Sequence, residues 1–306
     1  MQSPPQLNTM LAFITIDQLL KTWDELFFSN SSTLTLSVLR LLTGVLVLIE
    51  TFTWQGRNKQ LLLPDGWFGY EDYKAHLHRF SLLNYLPPTR MSLHWVFGIQ
   101  LIAGICLTLG IFSNLAALVC FVTLVSIHNR NIYVLSSGDT VYRFFCLFLV
   151  FAPFDTQLSL LNPSHLLRPE ATGWPWVLMM ARLFMANIYL KNVLFKLLGE
   201  WWRDGIATQK VFGVRIWNRM ELPSVLAHKW FYKLTTYGTL VIETMLFTLI
   251  WIEEFRLPVV ILGMLFHVGL WIFLRFGFFQ ITMIFGLTAF IKPEEFERLF
   301  RWIGYG

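Results

Sequence analysis

Charge is scarce in this chain. Only 14% of its 306 residues are Asp, Glu, Lys or Arg, whereas 55% are hydrophobic. Soluble domains carry about 25% charged residues. With a mean hydropathy of +0.54, the composition reads as a polytopic membrane protein. Cysteine is scarce too: Cys106, Cys120 and Cys146 all lie in hydrophobic runs and form no C-x-x-C. That argues against a disulfide framework and for apolar packing residues. There is no G-x-S-x-G and no G-x-x-x-x-G-K-[ST], so serine hydrolysis and phosphate transfer have no support. No basic cluster interleaves with aromatics, so no nucleic-acid partner is expected. No internal repeat, low-complexity tract or cleavable signal pattern is present. The lack of an inverted repeat disfavours a transporter.

What is abundant is apolar and aromatic. Aromatics make up 17%, with 13 Trp and 29 Phe, which suits lipid-facing surfaces and interfacial belts. Apolar runs of spanning length predict an all-α bundle of about eight transmembrane helices. They fall at Leu34 to Thr53, Leu93 to Phe112, Leu115 to Ile132, Asp139 to Phe154, Trp174 to Leu198, Leu234 to Ile252, Pro258 to Leu274 and Phe276 to Ile291. Ser113-Asn114 makes a tight hairpin, and Pro153 and Pro293 close two of the runs. Before them, Met10 to Phe28 mixes apolar residues with Asp17, Lys21, Asp24 and Glu25. It reads either as an amphipathic helix on the membrane surface or as a core-packing helix. The expected division is therefore an N-terminal helix in residues 1–33 and a transmembrane domain in 34–306.

Two polar connections, from about Trp54 to Ser92 and from about Trp201 to Lys233, are long enough to hold extra structure. Phe68, Tyr70 and Tyr73, with Leu63-Pro-Asp-Gly-Trp67, make the first look folded. Lys and Arg concentrate in both (Arg57, Lys59, Lys74, Arg79, Arg90; Arg203, Lys210, Arg215, Arg219, Lys229, Lys233). The positive-inside bias places both in the cytoplasm, unless those charges serve a site.

Ionisable residues inside apolar spans are the candidate functional groups. Lys196 heads the run Lys196-Leu-Leu-Gly-Glu-Trp-Trp202-Arg-Asp-Gly205 near the end of the fifth span. An ammonium near hydrocarbon is costly, and burial favours the neutral amine, which is a base. At about 100° per residue, Arg182, Met185, Tyr189, Asn192, Gly199, Glu200 and Arg203 share its face. Such a stripe faces the protein interior or a wet cavity, not lipid. Glu243, mid-span in Leu240-Val-Ile-Glu-Thr-Met-Leu-Phe247, needs a partner or a proton, and the stripe is the place to look. His267 is embedded in Met264-Leu-Phe-His-Val-Gly-Leu270. It reads as a satisfied core residue or as a site residue; no second His or Cys at helical spacing makes it a metal ligand. Arg275 and Gln280 line the mouth of the last hairpin. Asp139 and Arg143 are four apart and can pair, either beside a site or at the span's wet end.

The stretch Asn129-Arg-Asn-Ile-Tyr-Val-Leu-Ser-Ser-Gly138-Asp139, then Arg143, then Val150-Phe-Ala-Pro153, resembles the signature of HTTM membrane proteins. These are bacterial relatives of vitamin K-dependent gamma-carboxylase. Lys196-Leu-x-Gly-x-x-Trp202-x-x-Gly205 is similar to the same family's later motif, and the resemblance covers roughly Leu34 to Pro293. It implies a base at Lys196 that deprotonates a reduced, vitamin K-like quinone, with Glu243 and His267 at the family's acidic and histidine positions. Catalytic roles are thus expected for Lys196, Glu243 and His267. Cofactor-binding roles fall to Tyr189, Asn192, Asp139, Arg143 and Trp202. Where the carboxylase has a histidine-bearing segment, this chain has Ser136-Ser-Gly-Asp139, and no counterpart of the large luminal portion follows. The resemblance therefore carries quinone chemistry further than it carries carboxylation of a protein glutamate.

Two readings follow. One is a quinol-dependent, carboxylase-like enzyme in a bacterial inner membrane, with a reduced quinone as cofactor, membrane lipid around it and no metal. The other is a non-catalytic membrane partner in maturation, export or immunity of a secreted peptide. The enzyme reading requires Lys196, Glu243 and His267 to converge on one pocket.

Overall fold

A computed structural model describes residues 16–56, 59–63, 65–67, 79–153, 157–161 and 171–304. The start of the expected Met10–Phe28 helix lies outside these, as do Arg57, Phe68, Tyr70, Tyr73 and Lys74.

The elements are almost entirely helical. They are α1 (Ile16–Phe27), α2 (Leu34–Gly56), α3 (Arg90–Leu109), α4 (Ser113–Arg130), α5 (Ser137–Val150) and α6 (Trp176–Leu198). After these come the short α7 (Glu200–Arg203), α8 (Ala207–Gly213), α9 (Lys229–Phe247), α10 (Glu253–Phe273), α11 (Phe279–Leu287) and α12 (Pro293–Trp302). A two-residue antiparallel pairing of Ser31–Ser32 with Thr172–Gly173 is the only regular sheet among the described residues. Each predicted apolar run is a helix. Among the described residues five helices are long and apolar enough to cross a membrane: α2, α3, α6, α9 with its 3₁₀ extension to Trp251, and α10. The shorter α4, α5 and α11 pack among them.

Sequential helices pack on one another: α2 on α3, α3 on α4, α4 on α5, α9 on α10 and α10 on α11, and α6 packs on α9. α2 is the most enclosed of the five long helices, and α9 and α10 are the least. Their outer faces carry exposed Leu234, Val241, Leu265 and Ile272. Cys120 and Cys146 are free thiols in the main apolar core.

A buried arginine locks one end of the bundle. Arg40 of α2 is 1% exposed. It donates to the carbonyls of Leu107 (2.6 Å) and Thr108 (3.2 Å) at the end of α3, and of Gln157 (3.3 Å) and Leu158 (2.6 Å). Helix C-termini leave carbonyls without donors, and a guanidinium satisfies several at once. Asn114 does the same for α5, donating to Leu149, Val150 and Ala152.

α1 buries only Phe27 and leaves Ile16, Leu19, Leu20 and Trp23 on the outside. The second long connection holds α7 and α8.

Candidate functional site

α6 ends at Leu198 because Gly199 leaves helical geometry (φ −83, ψ 129). The chain turns there, so Gly199, Glu200 and Arg203 do not extend the α6 stripe as a continuous wheel predicts. The turn brings Trp202 back over Lys196, whose Nζ stands 4.7 Å from the indole centroid. Gly205 then adopts φ +72 directly beneath Tyr237, where a Cβ would sit 3.0 Å from the phenol oxygen. Both the positive φ and the close approach call for glycine. The spacing in Lys196-Leu-x-Gly-x-x-Trp202-x-x-Gly205 thus encodes a turn that folds an aromatic ring onto the lysine.

Lys196 Nζ donates to both carboxylate oxygens of Glu243 on α9. Their side chains are 20% and 7% exposed. A mid-span carboxylate needs such a partner. Beside the pair, Tyr189 of α6 donates its hydroxyl to His267 Nε2 at 2.9 Å. His267 Nδ1 donates to Gln280 Oε1 at 2.5 Å. Since the glutamine oxygen only accepts, this arrangement puts the imidazole proton on Nδ1 and leaves Nε2 as an acceptor.

All of these side chains, with Asn192 and Trp202, line one cavity of about 630 Å³ between α6, α8, α9, α10 and α11. The polar groups gather on one wall. The rest is apolar, with Phe212, Phe231, Phe266, Phe273, Phe276 and Phe279 prominent. Ligand sites characteristically combine such a volume, an apolar lining and a few convergent polar groups.

Six of the eight expected site residues therefore meet: Lys196, Glu243, His267, Tyr189, Asn192 and Trp202. Asp139 and Arg143 do not line this cavity. Asp139 accepts the Ser136 backbone N–H at 2.6 Å and the Tyr142 hydroxyl at 3.3 Å. It holds the start of α5, where a carboxylate also meets the positive end of the helix dipole. Arg182, on the expected stripe, donates to the Ala289 carbonyl at 2.7 Å. It stands more than three turns away from Lys196 along α6. Among the described residues no three His, Cys, Asp or Glu side chains cluster as metal ligands.

A second buried pair escaped the reading of the sequence. His128 of α4 and Glu50 of α2 meet at 2.6 Å with side chains 0% and 1% exposed. Trp54 Nε1 donates to the same Glu50 oxygen at 3.0 Å. The signal was available: both residues interrupt apolar runs, as Glu243 and His267 do.

The molecule is thus a polytopic helical membrane protein with a polar-walled cavity closed by a lysine–glutamate pair. A family model for the HTTM domain matches residues 28–294, nearly the whole chain. The protein belongs to the HTTM family, the transmembrane domain related to vitamin K-dependent gamma-carboxylase. No curated protein and no solved structure matches it.

Proposed function

We propose that this protein binds a reduced, lipid-soluble quinone in the α6–α10 cavity and removes a proton from its ring hydroxyl with the Lys196–Glu243 pair. The observation that carries the reading is the convergence of Lys196, Glu243, Tyr189 and His267 on one apolar-lined cavity. A non-catalytic scaffold requires only that such residues be paired. It does not require that they face shared empty space.

The bound quinol supplies a hydroxyl that, once ionised, reduces oxygen. The protein's own part is proton handling and positioning. Lys196 presents its Nζ to the cavity while Glu243 holds it from behind. The pair would take up a hydroxyl proton from a bound quinol, with the Glu243 carboxylate as its final acceptor. The Lys196 ammonium would remain on the cavity wall to offset negative charge there, which in an apolar cavity is worth far more than in water. Trp202 covers one side of the ammonium. Tyr189 is held by His267 and His267 by Gln280, which fixes the hydroxyl that flanks the ring.

The test is quinol oxidation by purified protein in lipid, comparing wild type with Lys196→Arg. Arginine still pairs with Glu243 but is not deprotonated. Quinol oxidation by the wild type, with a large loss in the variant, supports the reading. Equal activity in the variant, or no oxidation of any quinol by the wild type, overturns it in favour of a membrane partner for a secreted peptide.

A further inference from the structure

α9 and α10 touch at one end and part at the other. Just past Glu243 along α9, a Cβ on Gly263 of α10 would lie 2.7 Å from Leu246 Cδ2 of α9. The helices are in direct contact there. On the other side of Glu243, Gly238 of α9 and Gly269 of α10 both line the cavity. At neither position would a Cβ meet any heavy atom within 4 Å. The cleft is therefore closed on one side of Glu243 and His267 and open on the other, at Gly238 and Gly269.

The end of the same cavity beneath α8 is covered. The Thr208 hydroxyl of α8 donates to the Tyr232 carbonyl of α9 at 2.8 Å, and the Thr208 N–H donates to Thr236 Oγ1 of α9 at 3.2 Å. Further along, Arg219 N–H donates to the Phe273 carbonyl (2.8 Å) and Arg275 N–H to the Trp217 carbonyl (2.7 Å). The strap formed by α8 and the following residues is pinned to α9 on one side and to the end of α10 on the other. Phe212 closes it, edge-on to Phe273. What stays open is the side. Leu234 lines the cavity and is 60% exposed on the bundle surface. It marks a rim on the two least enclosed long helices.

We infer that the α9–α10 cleft is a lateral portal for a ligand dissolved in the lipid. The apolar tail lies between Gly238 and Gly269 and the polar head reaches Lys196, with the two glycines setting which tails are admitted. The occupant is one amphiphile with a hydroxylated head and a long hydrocarbon or prenyl tail. Its chemistry follows from the cavity, apolar along its length and polar on one wall. The identity of the head as a quinol rests on the function proposed above, whereas the portal does not.

The experiment is native mass spectrometry of the purified protein in detergent, with three probes. They are a polyprenylated naphthoquinone, the tail-free ring menadione, and oleic acid as an amphiphile with no quinone head. The variants are Gly238→Leu and Gly269→Leu, with Gly98→Leu as a control: it too has open space at its Cβ but lies on α3, outside the cavity. The portal predicts about a tenfold or greater loss of tailed-probe binding in each cavity variant. Menadione binding is unchanged, and Gly98→Leu behaves as wild type. If the wild type binds oleic acid but neither quinone, and the cavity variants lose oleic acid, the portal stands and the quinol function falls. Tailed-probe binding that is unchanged in both cavity variants overturns the portal. So does a wild type that binds no tailed probe, or a loss shared equally by menadione and the Gly98→Leu control.

Discussion

Glu50 and His128 meet between α2 and α4, in the most enclosed part of the bundle. Lys196 and Glu243 meet between α6 and α9, near its lipid-facing edge. Both are acid–base pairs in an apolar setting, and both carry the desolvation cost of such pairs. They differ in what surrounds them. Glu50 and His128 are sealed by side chains, and Glu50 Oε2 and His128 Nδ1 find no hydrogen-bond partner among the described residues. Lys196 and Glu243 have their charges satisfied by each other and still face about 630 Å³ of shared space. A sealed pair can only hold helices together; a pair on a cavity wall can also exchange a proton with something that enters.

The largest expected effect follows from that contrast. Lys196→Arg lowers quinol turnover by about 10²- to 10⁴-fold, the range for a lost proton-transfer group, because arginine cannot relay the proton to Glu243. Its unfolding temperature in detergent stays close to that of wild type, because arginine preserves the ion pair. A large drop in stability with little loss of turnover would reverse the assignment of the two pairs.

Next, His128→Leu strands the Glu50 carboxylate and destabilises the protein by about 3–5 kcal/mol. Glu50→Leu combined with His128→Leu recovers most of it, since apolar residues of similar volume replace a buried pair at little cost. Denaturant unfolding of the single and double variants measures both. If the double variant is stable yet inactive, the sealed pair belongs to the chemistry and the comparison breaks.

A smaller effect is expected at the shared wall. Tyr189→Phe removes the hydroxyl donor to His267 Nε2 and costs about 1 kcal/mol, or roughly fivefold, in quinol binding. The readout is KM against kcat: a change in KM alone marks positioning. Smallest of all, Trp202→Leu removes the ring over Lys196 and costs about 0.5–1 kcal/mol of pairing energy. Glu243 still holds the ammonium. Titration of quinol binding against salt checks it, with greater salt sensitivity in the variant once water reaches Nζ.

Much of this was legible in the sequence. Long apolar runs leave a membrane chain few choices, because backbone polar groups in lipid must pair within each segment. Helix is therefore the outcome, and the predicted runs fall on α2 to α6 and α9 to α11. The ends shifted where local chemistry intervened. α9 starts at Lys229, five residues before the apolar run at Leu234, and α10 starts at Glu253 ahead of Pro258. Polar first turns extend a helix into water without changing mean hydropathy much. The polar stripe on α6 was also readable, because 3.6 residues per turn place Tyr189, Asn192 and Lys196 on one face.

Partner choice was not readable. Periodicity puts Glu243 on α9 and His267 on α10, but only packing decides that the first meets Lys196 and the second meets Tyr189 and Gln280. Asp139 and Arg143 carried a family motif as clear as that of Lys196. The position of α5 nonetheless directs Asp139 to the Ser136 N–H and keeps both residues off the cavity wall. The Glu50–His128 contact joins residues 78 apart in sequence, and no local pattern encodes it. Nor does any pattern reveal that Gly263 closes α9 against α10 while Gly238 and Gly269 leave the two apart. Sequence alone determined which segments must be helical and which faces must avoid lipid, because those follow from the cost of exposing polar groups to hydrocarbon. Tertiary structure alone decided which charges meet and where space is left between helices, because both depend on the relative placement of surfaces far apart in the chain.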